Sequence, residues 1–201
     1  KIRLAGRENV CVYVKAMAGA NLQTLCRYAV RHGLAGLNFA LVIPGTVGGG
    51  IIMNAGTAHG CMADVVTAIT VLHPNGDVLG LKKDALDFSY RSLSLGGLDD
   101  DNPSIILDSC FCLRPARVDK LKDEAKEILD SRKNREPTGS RSAGCMFKNQ
   151  SPDKPAGRLI DHEGLKGRKI GGAEISRNHA NYIINDGNAS AAAILALMSL
   201  V

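Results

Sequence analysis

Ile43-Pro44-Gly45-Thr46-Val47-Gly48-Gly49-Gly50-Ile51-Ile52-Met53-Asn54-Ala55-Gly56 is the stretch whose reading decides the fold. It holds five glycines and no charged side chain. A backbone this bare can turn successive N–H groups toward a phosphate, and without Cβ atoms it lets a flat ring lie close on the main chain. The spacing is neither G-x-G-x-x-G nor that of a P-loop. Composition alone therefore suits a nucleotide cofactor and a tight glycine turn packing strand on helix equally well. The wider span 34–64 is rich in Gly, Ala and Asn. It is too apolar for a disordered linker and too broken for a long regular element.

Outward from this stretch the periodicities are clearer. Upstream, Val10–Ala16 reads as a strand, and Asn21–His32 as a helix with Asn21 as cap, apolar residues at 22, 25, 26, 29 and 30, and Gly33 as its stop. Downstream, Val65–His73 and Val78–Leu81 flank the turn signal Asn75-Gly76. An acidic loop at Leu98–Pro103 precedes a strand at Ile105–Leu113. Asp119–Arg132 is a charged amphipathic helix turning Leu121, Ala125, Ile128 and Leu129 inward, and the loop Lys133–Ser140 is the best domain boundary. Beyond it come a strand near Cys145–Asn149, a helix at Ala156–His162 closed by Gly164, strands at Ile170–Ile175 and Asn181–Ile184, and a helix from Ser190. Strand pairs and helices without βαβ alternation predict an α+β protein.

The bulk properties bound the function loosely. With 201 residues at 45% hydrophobic, the chain can bury a sizeable core in one large or two small domains. No run of about 18 apolar residues occurs, and the first residues carry no apolar h-region. A cytoplasmic protein with no membrane partner is expected. The net charge of +5 is scattered, with only Arg132, Lys133 and Arg135 forming a close basic group, and aromatics are 4% with no Trp. A small phosphorylated partner fits this better than nucleic acid, for which few stacking side chains and no motif are present. The cysteines at 11, 26, 61, 110, 112 and 145 form no CxxC pair, so no metal is expected. Cys11 and Cys26 read as buried free thiols, and Cys110 and Cys112, sharing a strand face, as small core residues.

A resemblance then sharpens the glycine-rich stretch. Gly33-Leu34-Ala35-Gly36-Leu37, Ile43–Gly49 and Met53–Gly56 resemble the flavin-binding segment of the UDP-N-acetylenolpyruvoylglucosamine reductase family. Further motifs agree in order: Tyr90-Arg91-Ser92, Ser142-Ala143-Gly144-Cys145-Met146-Phe147-Lys148-Asn149, Gly164-Leu165-Lys166-Gly167, Ile170-Gly171-Gly172-Ala173, His179-Ala180-Asn181 and Asn185-x-Gly187-Asn188-Ala189. The match runs from about Ala18 to the end and is nearest the family's shorter form.

The resemblance implies the second lobe of an FAD-binding domain over 1–136, ending in a helix, and a substrate-binding domain over 137–201. It implies FAD contacts at Gly45, Thr46, Gly48, Gly49 and Asn54, made largely by backbone amides. NADPH is implied as reductant and UDP-N-acetylglucosamine enolpyruvate as substrate, in a monomer. Arg91 is implied as the catalytic guanidinium beside an enolate-like carboxylate, and a fixed planar cation is what such growing charge needs. Cys145 stands where most relatives have the proton-donating serine. A thiol is protonated at neutral pH and more acidic than an alcohol. Tyr90, Lys133 (or Arg135), Lys148 and Asn149 are implied as substrate contacts.

Three departures accompany the match. Thr57-Ala58-His59-Gly60-Cys61 replaces the family's Ala-Tyr-Gly-x-Glu. The family's N-terminal lobe and its later catalytic glutamate have no counterpart in the sequence. The chain by itself is thus expected to hold FAD weakly or not at all. A related flavin oxidase and a catalytically inactive nucleotide-sugar-binding fragment are the rival readings.

Overall fold

The computed structural model describes residues 1–8, 10–96, 103–137, 139–151 and 153–201. Most of the acidic loop at 98–103 therefore lies outside the described residues. The chain divides into two compact units, Lys1–Leu129 and Asp130–Val201, with the division inside a helix.

The first unit is built on an antiparallel sheet. Strands β1 (Ile2–Glu8) and β2 (Cys11–Met17) form a hairpin, and helix α1 (Leu22–Arg31) follows. The Asn21 Oδ1 accepts from Thr24 N–H at 2.9 Å, capping α1 as the sequence predicts, and Gly33 closes it at φ 64°. Strand β3 (Leu34–Ala35), helix α2 (Val47–Ile52) and the two-residue strands β4 (Gly56–Thr57) and β5 (Gly60–Cys61) come next. Then β6 (Val66–Leu72) and β7 (Val78–Lys82) pair across the Asn75-Gly76 turn, and β8 (Asp87–Ser89) pairs with β9 (Ser92–Ser94). The long β10 (Ile105–Pro115) leads to α3 (Val118–Arg135). The sheet order is β1-β2-β10-β6-β7, with β3 alongside one end of β10. The central register sets Phe111 opposite Val14 on one side and Val66 on the other.

Period two on these strands decides which face is core. Val12, Val14 and Ala16 of β2 and Ser109, Phe111 and Leu113 of β10 are buried, against Leu22, Leu25, Cys26 and Ala29 of α1 and Val47 and Ile51 of α2. Leu25→Ala, which removes a fully buried side chain, corresponds to a loss of about 2–5 kcal/mol.

The cysteines need correcting. Cys110 and Cys112 lie on the opposite, half-buried face of β10 and are not core residues, because 109, 111 and 113 take the core positions. Cys11, also half-buried, is no free thiol: it is joined to Cys112 as a disulfide across β2 and β10, with Cα atoms 5.5 Å apart. Cys26 is a buried free thiol, as expected.

The second unit holds α4 (Ala156–His162), the antiparallel β11 (Lys169–Ile170), β12 (Ala173–Ile175) and β13 (Ile183–Asn185), and α5 (Ala191–Ser199), capped by Ser190. Its core is Ile160, Ala173, Ile175, Ala180, Ile183, Ala193 and Leu197. The strand expected near Cys145–Asn149 does not form. Among the described residues this region forms no ladder, only the isolated bridges Arg141 to Asn185 and Cys145 to Tyr182 together with hydrogen bonds to Asn181.

Among the described residues no helix is long and apolar enough to cross a membrane.

Candidate functional site

The glycine-rich stretch of the first unit forms one wall of a cavity of about 380 Å³, lined by Ala18, Gly19, Thr46, Gly48, Gly49, Ile52, Ser104 and Ile106. Thr46 caps α2, its Oγ1 accepting from Gly49 N–H at 3.2 Å. Gly45 has φ 119°, which favours glycine, and it starts the turn into the helix. Gly48 is needed for a different reason: a Cβ there would sit 2.9 Å from the Ala18 Cβ, so its absence lets α2 pack on the loop after β2.

The backbone amides of this stretch are used differently from the sequence expectation. Val47 N–H donates to Ala20 O, Gly48 N–H to Ala18 O, Gly49 N–H to Thr46 Oγ1 and Gly50 N–H to Thr46 O. Those donors are spent in building the cavity wall. What the wall offers a ligand is exposed main chain at Gly49, the Thr46 hydroxyl, and the apolar edges Ile52 and Ile106.

Ser104, which the sequence reading did not single out, adds a second polar group. Its hydroxyl is buried and has no hydrogen-bond partner among the described residues. A cavity walled by glycine main chain and the Thr46 hydroxyl, with apolar edges, suits a group joining a flat ring to a polar tail. No spacing pattern marks Ser104 in the sequence.

Asn54 and Arg91 form a separate network. They are the only non-glycine residues with positive φ among the described residues, at 37° and 58°. Asn54 is 8% exposed; its Nδ2 donates to Ser89 O at 2.9 Å and its Oδ1 accepts from Ala63 N–H at 3.0 Å. Both polar atoms thus serve the protein interior, and Asn54 is not among the residues lining the cavity. Arg91 occupies the two-residue turn between β8 and β9, its Nη2 donating to Gly56 O at 3.0 Å and its guanidinium lying 5.0 Å from the Tyr90 ring centroid. Tyr90 itself is 52% exposed.

In the second unit Cys145 is exposed and Lys148 follows it on the same segment. Met146 N–H donates to Asn181 O, and the Phe147 main chain is bonded on both sides by the Asn181 carboxamide. The Asn149 Oδ1 accepts from Ala156 N–H at 3.0 Å, at the first turn of α4. Cys145 bridges Tyr182, which is 8% exposed. Burial first, then Cys145 and the hydrogen bond to Glu136, hold the Tyr182 phenol well above the usual tyrosine range. Glu136 in turn pairs with Arg132 at 2.6 Å. Lys133 and Arg135 are exposed on the last turn of α3.

The structure thus gathers Thr46, Gly48 and Gly49 at one cavity, leaves Gly45 in the turn before α2 and outside the residues lining that cavity, and places Tyr90 and Arg91 near Asn54 and Cys145, Lys148 and Asn149 on one segment. His59 and His162 are exposed, and His179 is structural, its Nδ1 accepting from Asn181 N–H at 3.3 Å. No group of three or more His, Cys, Asp or Glu among the described residues could hold a metal ion.

Comparison with known proteins bears on the family and the fold. The family model "FAD binding domain" matches residues 4–82, and "UDP-N-acetylenolpyruvoylglucosamine reductase, C-terminal domain" matches 136–201. The UDP-N-acetylenolpyruvoylglucosamine reductase of Desulfosudis oleivorans is 46% identical over 92% of this chain and 59% of its own length. A second such reductase, from Symbiobacterium thermophilum, is 41% identical over 94% of this chain and 59% of its own. The crystal structure of the enzyme of this name from Thermus caldophilus superposes with a TM-score of 0.81 at 38% identity, covering 92% of this chain and 66% of that one. The chain therefore spans 59% of the length of each of the two relatives. It belongs to the UDP-N-acetylenolpyruvoylglucosamine reductase family.

Proposed function

We propose that the protein of which this chain is a part reduces UDP-N-acetylglucosamine enolpyruvate to UDP-N-acetylmuramate, as a cytoplasmic monomer using NADPH. The observation that supports this most is the segment Cys145–Asn149, inside the stretch matched by the reductase C-terminal domain model. There an exposed thiol and two polar side chains sit on one hydrogen-bonded strap. The redox chemistry, hydride drawn from NADPH and delivered to the enolpyruvyl methylene, is what bound FAD supplies. Gly45, Thr46, Gly48 and Gly49 would hold it, with Ser104 as a further donor, while Asn54 supports the fold around them.

Arg91 answers the charge that grows on the substrate carboxylate as the double bond is reduced. Its Nη2 bond to Gly56 O and its seat over the Tyr90 ring fix the guanidinium in advance, which is where electrostatic stabilisation gains over water. Cys145 gives its S–H proton to the carbon next to the reduced methylene; a C–H bond forms and a thiolate remains. Exposure of Cys145 lets solvent restore the proton. Lys133 and Lys148 are exposed cations suited to a diphosphate, and Asn149 to a sugar or diphosphate oxygen.

In the full-length, FAD-loaded protein, Cys145→Ala is expected to leave NADPH-driven flavin bleaching at the wild-type rate while turnover falls about 10²- to 10⁴-fold. Stopped-flow absorbance and a product assay read the two steps, and unchanged turnover removes Cys145 from the reaction.

A further inference from the structure

The segment carrying Cys145 runs without a regular ladder, yet its main chain is held, and most of the holding comes from Asn181. Asn181 is 2% exposed. Its Oδ1 accepts from Phe147 N–H at 3.0 Å and its Nδ2 donates to Phe147 O at 2.9 Å. A side-chain amide thus reproduces the paired bonds that a neighbouring strand would make. Its own carbonyl accepts from Met146 N–H at 2.9 Å, and the next residue, Tyr182, bridges Cys145. Only a carboxamide carries donor and acceptor side by side in this arrangement.

We propose that Asn181 is a positioning residue of the site, fixing the backbone of Cys145–Asn149 and so the direction in which the Cys145 thiol and the Lys148 and Asn149 side chains meet the substrate. The proposal rests on the reductase reading and adds to it a residue that acts through the strap. An Asp at 181 is nearly isosteric and keeps the bond from Phe147 N–H, but its second oxygen, when ionised, faces Phe147 O as acceptor against acceptor. An Ala loses both bonds and leaves a void. Either change lets the strap shift, and displacement of reacting groups by about 1 Å costs up to about 10²-fold in rate.

The test uses full-length, FAD-loaded enzyme and the variants Asn181→Asp and Asn181→Ala. The Asp variant guards against an Ala variant that does not fold. For each, four quantities are compared with wild type: thermal midpoint, NADPH-driven flavin bleaching without the UDP-sugar, kcat and KM for UDP-N-acetylglucosamine enolpyruvate, and the rate of Cys145 alkylation by iodoacetamide, read by peptide mass spectrometry. The expected result for Asn181→Asp is wild-type bleaching, a kcat lowered about 10- to 100-fold per FAD-bound protein, and an alkylation rate changed by about threefold or more. A kcat at the wild-type value overturns the proposal. So does a loss shared equally by bleaching and turnover, which is the signature of a merely structural role. Failure of the wild type to turn over the UDP-sugar defeats the reductase reading instead; the alkylation comparison then decides the proposal alone, and an unchanged rate overturns it.

Discussion

Asn54 and Arg91 show how single residues carry strain toward a site. Each holds a left-handed backbone that costs a non-glycine residue about 1–2 kcal/mol, and each side chain spans from one segment to another: Asn54 to Ser89 and Ala63, Arg91 to Gly56. Together they clamp the end of α2 against the β8–β9 turn. Asn54→Ala removes the partner of Ala63 N–H and of Ser89 O at two part-buried hydrogen bonds and is expected to destabilise the protein by about 1 kcal/mol in urea unfolding; a midpoint within error of wild type would contradict the clamp. Arg91→Gly removes the backbone strain together with the guanidinium, so stability should hold or rise by up to about 1 kcal/mol while turnover is lost. Retained turnover would refute a catalytic Arg91. The motifs containing both residues were legible in the sequence, but the inward use of Asn54 was not. Nothing in residue spacing says whether a carboxamide near a glycine run faces a ligand or the main chain of a turn 35 residues away.

At the scale of elements, legibility followed the strength of local signals. Helix α1 was read correctly because an Asn cap and five apolar residues at helical spacing agree with one another, and all five are buried. The β6–β7 hairpin announced itself through Asn75-Gly76. Strand β1 was missed: apart from Ile2 its residues are exposed, and its place comes from pairing with β2, which is non-local information. A strand was expected at 145–149 and is absent, because its hydrogen bonds go largely to one residue, Asn181, through its side chain and its own carbonyl, rather than to a ladder. Helix α2 is short and glycine-rich, with low intrinsic propensity. It exists because Thr46 caps it, Val47 and Ile51 are buried, and Gly48 passes close to Ala18. Gly48→Ala should therefore cost about 1–3 kcal/mol through overpacking. Because Ala18 lines the cavity, full-length protein carrying this change should also retain less FAD through gel filtration. Wild-type retention and stability together would show that the close approach is dispensable.

For the whole molecule, two buried groups set a limit on the alkaline side. Burial pushes the Cys26 thiol from the ordinary 9.0 up to about 12, and burial with Cys145 and Glu136 raises the Tyr182 phenol. Raised values mean that the fold favours the protonated forms. Their contribution is complete below the ordinary thiol value of 9.0 and is lost as pH rises toward 12. Urea midpoints should be flat from neutrality to pH 9 and fall above it, less steeply in Cys26→Ala; a midpoint unchanged to pH 12 would contradict the burial of both groups. The two units also divide the chemistry, the glycine cavity and Arg91 in the first and the Cys145 strap in the second, which is why neither alone specifies a reaction. The glycine stretch points to a cofactor site only in the company of the other motifs. The most direct test supplies full-length, FAD-loaded protein with NADPH and UDP-N-acetylglucosamine enolpyruvate without oxygen and measures both nucleotide oxidation and product by mass. One UDP-N-acetylmuramate formed for each NADPH consumed is the expected result, whereas NADPH oxidation indifferent to the UDP-sugar, or binding of the sugar without reduction, would refute the reductase reading.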